Sequence, residues 1–175
     1  ELDIWTRYFE SFKTSPLFRS NRLIPMIATW DDHDTGINNA DKDTTTILEA
    51  RRAFQTLFGV ADIAGISENG RSGVYRSYSV GDQHFILLDN RTFRTKADPS
   101  DRYGHFGQEQ EEWLLEQMRT KKGFFWLVAG GVWGGAAITQ TKSDGTIRRM
   151  TEGFFGDHPL QYKEVMQKIY EMNKP

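Results

Sequence analysis

The chain has 175 residues, a formal net charge of −2 and no cysteine. This length is enough for one domain with its own hydrophobic core. The absence of cysteine excludes disulfides, iron–sulfur clusters and thiol nucleophiles, and the small net charge gives no general attraction to nucleic acid or anionic membranes. No apolar run reaches membrane-spanning length, and there is no signal-peptide pattern.

The amino-terminal part is predicted to contain two helices and one short strand. Apolar residues recur at helical spacing over residues 2–15, and a proline follows where that helix would end. Residues 23–30 are apolar and compatible with a strand, with Pro25 at its start or at a sheet edge. Residues 44–58 predict a second helix, which Gly59 is suited to terminate.

A β-hairpin and a third helix are predicted next. Residues 74–80 and 84–89 have strand-like patterns and are joined across Gly81 and Asp82, a pair typical of tight turns. Residues 107–121 predict a helix with its apolar residues on one face. The hairpin and this helix follow one another without a linker.

The last third is predicted to hold a strand, a glycine-rich turn and a final helix. Residues 124–129 are almost continuously apolar, which favours a buried central strand. The glycines of residues 130–135 indicate a close backbone approach near an active site, and residues 143–145 a hairpin or loop tip. Pro159 suits the first turn of a helix ending near residue 172. The alternation of helices and strands favours one layered α/β or α+β domain.

The strongest signal for chemistry is the run TWDDHD at residues 29–34. Three carboxylates and an imidazole follow an apolar segment, and ligands collect beyond the carboxyl ends of strands in layered folds. Carboxylates suit hard cations, and an imidazole can protonate a leaving group. The alternative is that these acids are solvated loop residues or helix caps. The compact polar surroundings favour a site, because a bound cation offsets the repulsion between neighbouring carboxylates.

Several further motifs accompany this run. Residues 25–34, followed by Gly36 and Asn38, resemble the W-D-D-H-D/E signature of the PhoD-like phosphatases. Residues 74–91 resemble the hairpin of that family, which ends in an L-D-T-R type strand. Residues 106–114 resemble its L-G-x-x-Q-x-x-W-L helix start. The resemblance covers the whole chain in the right order.

This resemblance implies a metallophosphoesterase fold, a β-sandwich flanked by helices, of which residues 1–175 are the central part of a single catalytic domain. It implies metal-dependent hydrolysis of small phosphate esters, of the alkaline phosphatase or phosphodiesterase type, with no nucleic-acid partner required. It suggests calcium and iron as the metal ions, with manganese or zinc as alternatives. It also suggests export to the periplasm or the extracellular space.

The resemblance assigns roles to residues of the first motif. Asp32 falls on a metal ligand, and His33 falls on the histidine that contacts the phosphoryl group and assists the leaving group. Asp34 falls on the acid that orients this histidine. Asn38 is a candidate for the substrate pocket, and Asp31 is left structural.

Two arginines beyond the second strand are further candidates. Arg91 and Arg94 are placed to clamp a phosphate with two hydrogen bonds each. The alternative, an ion pair with Asp89 or Asp98, is favoured by the sequence.

Three other histidines are predicted to lie outside the site. Residues 81–84 read G-D-Q-H, which also resembles a late metal-binding motif of the family, but their place between two strands favours a hairpin turn. His105 and His158 lie beside glycine and proline, which favours surface or capping positions.

The resemblance also shows what these residues lack. A two-metal hydrolase needs ligands from several loops, and the early Asp motifs and late His motifs of the family are absent. Together with the start at Glu1, this predicts an internal segment that is inactive or nearly so by itself. The alternatives are a non-catalytic binding module with the same fold, or a glycosidase that pairs Asp32 with Glu109 or Glu152, which the spacing does not support.

Overall fold

The computed structural model describes residues 2–20, 22, 25–59, 73–135, 138–150 and 153–174. In chain order its elements are α1 (Leu2–Thr14), a 3₁₀ helix (Asp32–Thr35), α2 (Ile47–Leu57), β1 (Arg76–Val80), β2 (Gln83–Leu87), α3 (Gln108–Thr120), β3 (Phe124–Val128), β4 (Ile138–Thr141), β5 (Ile147–Met150), α4 (Phe154–Asp157) and α5 (Pro159–Met172). This is an α+β fold, as the sequence predicts. Within the described ranges, no helix is long and apolar enough to cross a bilayer.

The predicted hairpin is confirmed. Strands β1 and β2 pair in antiparallel fashion across the turn at Gly81 and Asp82, and Gly81 has a φ of 59°, which suits glycine. His84 is buried between the strands, where its ring nitrogens contact Ser79 Oγ at 2.8 Å and the carbonyl of Lys122 at 2.9 Å. Both nitrogens are therefore used in structural contacts, in agreement with the hairpin interpretation.

The apolar strand β3 lies at a different position from the one predicted. It pairs in parallel with β2 and forms one edge of the three-stranded sheet in the described part of the chain, whose order is β1-β2-β3. Phe125 and Leu127 pack into the core, whereas Phe124 and Trp126 are 63% and 54% exposed. The prediction of a buried central strand was therefore wrong, because only one face of this sheet is covered by helices.

The predicted strand at residues 23–30 is also corrected. Leu23 and Ile24 lie outside the described residues, and residues 25–30 form no ladder with the described strands. Their backbone is held by side chains instead: Thr29 Oγ1 donates to the carbonyl of Leu88 at 2.7 Å, and Arg76 donates to the carbonyl of Ala28 at 2.7 Å. These bonds fix the segment that leads into the TWDDHD run.

Two apolar clusters form the core. The first joins α1, α2 and Trp30, and the second lies between the sheet, α3 and α5 around Phe106 and Phe154. The helices predicted at 2–15, 44–58, 107–121 and from Pro159 are confirmed, as is the β4–β5 hairpin. The TWDDHD run enters the first cluster through its tryptophan, which is fully buried.

The two late histidines are deeply buried; this corrects the predicted surface position of His105, whereas the capping position predicted for His158 is confirmed. His105 is 2% exposed and stacks on Phe154 with ring centroids 4.5 Å apart. His158 is fully buried and does precede α5, where Pro159 occupies the first turn. Burial, followed by the nearby charge of Arg94, lowers the pKa of both imidazoles, which keeps them neutral.

Candidate active site

The acidic run folds into a tight turn at the rim of the first core cluster. The 3₁₀ helix Asp32–Thr35 ends at Gly36, whose φ of 86° and hydrogen bond to the carbonyl of His33 at 3.0 Å close the turn. Trp30 anchors the turn in the core, Asp32 and Thr35 are also buried, and His33 and residues 36–39 are exposed. The turn therefore presents polar groups at the surface from a fixed base.

Asp32 is an ionised carboxylate held by backbone donors. Its Oδ1 accepts the N–H of His33 at 2.7 Å, and its Oδ2 accepts the N–H of Asn39 at 2.7 Å. Burial acts to raise the pKa of Asp32, but the N–H of Asn39, the charge of Arg91 and the N–H of His33 outweigh it and hold the pKa below its usual range. The Asp32 carboxylate is therefore suited to bind a cation.

His33 is exposed, and its ring contacts Asn38. The Nε2 atom lies 3.2 Å from Asn38 Oδ1, a distance at which a protonated Nε2 donates to the amide oxygen. The ring is thereby oriented while remaining open to a ligand. The structure thus brings these two predicted site residues together.

Asp34 bonds Tyr8 and the backbone of Asp31. Its Oδ1 accepts the hydroxyl of Tyr8 at 3.0 Å, and its Oδ2 accepts the N–H of Asp31 at 2.8 Å. Burial and the neighbouring acids raise the pKa of Asp34, and burial with the Asp34 charge raises that of Tyr8. In this arrangement Asp34 ties α1 to the turn, and the role of orienting His33 stays a prediction.

The structure reveals a second acidic centre, Asp89, behind the turn. Its Oδ1 accepts Trp30 Nε1 at 2.8 Å and the N–H groups of Arg91 and Thr92 at 2.9 Å each. Its Oδ2 accepts the N–H of Val74 at 2.8 Å and Thr92 Oγ1 at 2.6 Å. The sequence assigned Asp89 only as a partner for arginine. Its place directly after an apolar strand is the signal that points to a buried structural role.

Arg91 pairs with the turn. Its Nε lies 2.6 Å and its NH2 2.5 Å from Asp31 Oδ1, and its NH1 donates to the carbonyl of Ala40 at 3.2 Å. The ion pair favoured by the sequence, with Asp89 or Asp98, is therefore replaced by one with Asp31. Arg91 is almost completely buried, and its guanidinium stabilises the turn through these contacts with Asp31 and Ala40. The phosphate contact assigned to Arg91 stays a prediction.

Arg94 forms a separate ion pair with Asp157, at the end of α4. Both side chains are buried, and the pair links the loop after β2 to the start of α5. The alternative partners Asp89 and Asp98 are not used. A cavity of about 200 Å³ adjoins this pair and is also lined by Asn39.

The glycine-rich segment approaches the turn, as predicted. A Cβ atom built on Gly130 would lie 2.3 Å from the carbonyl oxygen of Trp30 and 2.8 Å from the Cβ of Asp31. Only glycine allows the two backbones to come so close without a shift of one of them. The segment after β3 therefore packs directly against the base of the turn.

The described residues do not make up a metal centre. No group of three or more His, Asp or Glu side chains is placed to hold one ion within these ranges, and Glu152 lies outside them. Asp32 is suited to be a single ligand, whereas zinc sites, for example, use at least three protein ligands. The donor set present in these ranges therefore does not fit a complete cluster.

Comparisons with known proteins agree on one family. A family model described as PhoD-like phosphatase matches residues 3–173. A solved structure described as "Structure of PhoD" is similar with a TM-score of 0.55 and 23% sequence identity, over 83% of this chain. The chain spans 31% of that structure's chain, and the likeness at this identity supports the fold. No curated protein sequence matches this chain significantly.

Proposed function

We propose that this chain, which belongs to the PhoD-like phosphatase family, supplies part of an active site that hydrolyses phosphate esters in a metal-dependent reaction. The alkaline phosphatase and phosphodiesterase types are both compatible with this role. The observation that supports it is the TWDDHD turn, in which an ionised Asp32 and an exposed His33 are held side by side. We further propose that residues 1–175 are the central part of one catalytic domain.

His33 is the proposed proton donor. Water attacks phosphorus, the ester P–O bond breaks, and the leaving oxygen takes a proton from the imidazolium of His33. The attacking water releases a proton to solvent, and solvent reprotonates the imidazole. Asn38 holds the ring through its 3.2 Å contact and borders the substrate. Asp34 keeps the turn in shape by bonding Tyr8 and the N–H of Asp31.

Asp32 is the proposed metal ligand of this chain. The family suggests calcium and iron, with manganese or zinc as alternatives, and such ions activate water and neutralise phosphoryl charge. The remaining ligands would come from parts of the domain that correspond to the portion of the PhoD chain not spanned here. The family further suggests export from the cytoplasm and small phosphate esters as substrates.

The test compares the 175-residue chain with a polypeptide extended to the length of a whole PhoD-like domain. Hydrolysis of 4-nitrophenyl phosphate and bis(4-nitrophenyl) phosphate is measured with and without a chelator. We expect turnover only in the extended protein, and a loss of about 10²–10⁴-fold in His33→Ala because general acid catalysis has that magnitude. Asp32→Ala is expected to lose bound metal as well as activity.

Asp43→Ala is the matched control, because Asp43 is an exposed acid near the turn. It should keep full activity and metal content. An extended protein that binds phosphoesters, ignores chelators and hydrolyses neither substrate would instead support the non-catalytic binding module. Equal activity in His33→Ala and Asp43→Ala would refute the assignment of His33.

A further inference from the structure

We propose that a cavity between α1 and the turn is the subsite for the alcohol part of the substrate, and that it selects compact, partly apolar alcohols. This inference rests on the proposed function, because it takes His33 as the donor to the leaving oxygen. The cavity has a volume of about 100 Å³, and its walls include Ile4, Tyr8, Ser11 and His33. It is therefore formed jointly by a helix face and the turn.

The position of the cavity follows from the geometry of proton transfer. A leaving oxygen must lie within about 2.6–3.2 Å of the imidazole that protonates it, so the alcohol attached to that oxygen has to occupy space adjoining the ring. The cavity on the α1 side adjoins His33 directly, whereas the cavity on the Asn39 side lacks it. Asp32 is directed to the N–H of Asn39, so the carboxylate and the alcohol subsite lie on different sides of the turn.

The wall formed by α1 is held in a fixed position. Ile4 is buried in the first core cluster, and Tyr8 packs against that cluster while its hydroxyl bonds Asp34 at 3.0 Å. The helix therefore cannot move away from the turn without losing this bond and its core contacts. A rigid wall makes the size of the alcohol a criterion for binding.

The chemistry of the walls defines the group that fits. Ile4 and the ring of Tyr8 offer apolar surface, and Ser11 and Arg7 add polar groups along the same helix. Ser11 donates its hydroxyl to the carbonyl of Arg7 at 2.9 Å. This cavity of about 100 Å³ is smaller than the enclosed cavity of about 150 Å³ that accepts benzene, but it is open to solvent on one side, so a phenyl or short alkyl group can enter it while part of the group stays in water.

The experiment uses a pair of non-hydrolysable probes that differ only in the group replacing the alcohol. Binding of phenylphosphonate and methylphosphonate to the extended polypeptide is followed by NMR, with phenol as a third probe of the cavity alone. We expect phenylphosphonate to bind about tenfold more tightly, because the ring buries apolar surface. It should shift the signals of α1 near Ser11, and methylphosphonate should not.

A pair of variants on α1 isolates the cavity. Ser11→Leu fills it from an exposed helix position and should reduce the tenfold preference to less than twofold. Thr14→Leu is the control: Thr14 is also exposed and also bonds a carbonyl four residues earlier, at 2.9 Å, but does not line the cavity. It should keep the preference.

The outcomes separate this inference from the proposed function. Equal affinity for both phosphonates would overturn the alcohol subsite and leave the phosphoesterase role intact. Binding of neither phosphonate would overturn the phosphate-binding role, and phenol then decides the subsite by itself. Phenol shifts confined to α1 and His33 would support the cavity, and their absence would refute it.

Discussion

The TWDDHD turn contains one acidic centre, Asp32, and packs against a second, Asp89, and the two carboxylates are used in different ways. Asp89 is completely buried and accepts five hydrogen bonds, which consume both oxygens. Asp32 accepts two backbone bonds and is followed by the exposed His33. A fully satisfied carboxylate stabilises a fold, whereas a partly satisfied one beside an exposed side chain retains capacity for a ligand.

The largest expected effect is that of Asp89→Asn on stability. The new amide group would direct N–H donors at the N–H of Val74 and leave two bonds unmade inside the protein, which we expect to cost about 3–5 kcal/mol of unfolding free energy. Urea denaturation followed by tryptophan fluorescence measures this loss.

Asp32→Asn and Asp43→Asn complete the comparison. We expect Asp32→Asn to cost about 1–2 kcal/mol, because it keeps one acceptor oxygen. The exposed Asp43→Asn should stay within about 0.5 kcal/mol of the wild type. Similar losses for Asp89→Asn and Asp32→Asn would remove the distinction between a structural and a ligand-binding carboxylate.

A second comparison concerns how buried and exposed histidines affect the dependence of stability on pH. Burial lowers the pKa of His105 well below its usual value, so the unfolded chain takes up a proton near pH 6.5 while the folded chain does not. Because the unfolded state then binds more protons, stability is full above about pH 6.5. Below about pH 6.5 the free energy of unfolding falls by up to about 1.4 kcal/mol per pH unit because of this residue.

The variant His105→Phe tests this. Phenylalanine keeps the stacking on Phe154 and removes the titrating group, so the melting temperature should depend less on pH between 7 and 5. His33→Phe is the matched control, since its ring is exposed. An unchanged slope in His105→Phe would show that other groups carry the acid sensitivity.

The smallest expected effect concerns the bond between α1 and the turn. Tyr8→Phe removes the hydroxyl that donates to Asp34 Oδ1 at 3.0 Å, and we expect a loss of about 1 kcal/mol. Tyr170→Phe, at a residue that is 62% exposed, is the control. If both variants lose the same stability in thermal unfolding, Tyr8 does not secure the turn.

Much of the fold was predictable because it depends on local patterns. The hairpin was marked by glycine at a turn, and α5 by proline in its first turn. The edge position of β3 was not predictable, because an apolar strand gives the same pattern whether or not a neighbouring layer covers it. The burial of His105 was missed for a related reason, since its neighbours in sequence are glycine and phenylalanine and its partners come from α4 and α5.

The site was predicted unevenly. The short run around Asp32 and His33 was singled out because its residue types are rare together, and its catalytic role stays a prediction; the structure places Asn38 against His33. The partners of Arg91 and Arg94 were not found. Asp31 and Asp157 lie 60 and 63 positions away along the chain, and sequence spacing carries no information about such contacts.

The exposed face of β3 has a consequence for handling the protein. Phe124, Trp126 and Val128 project from a strand whose outer edge has no partner among the described strands. Unpaired edge strands with apolar faces recruit strands from other molecules. We therefore expect this strand to promote self-association of the isolated chain, and Trp126→Lys to raise the concentration at which the chain stays monodisperse.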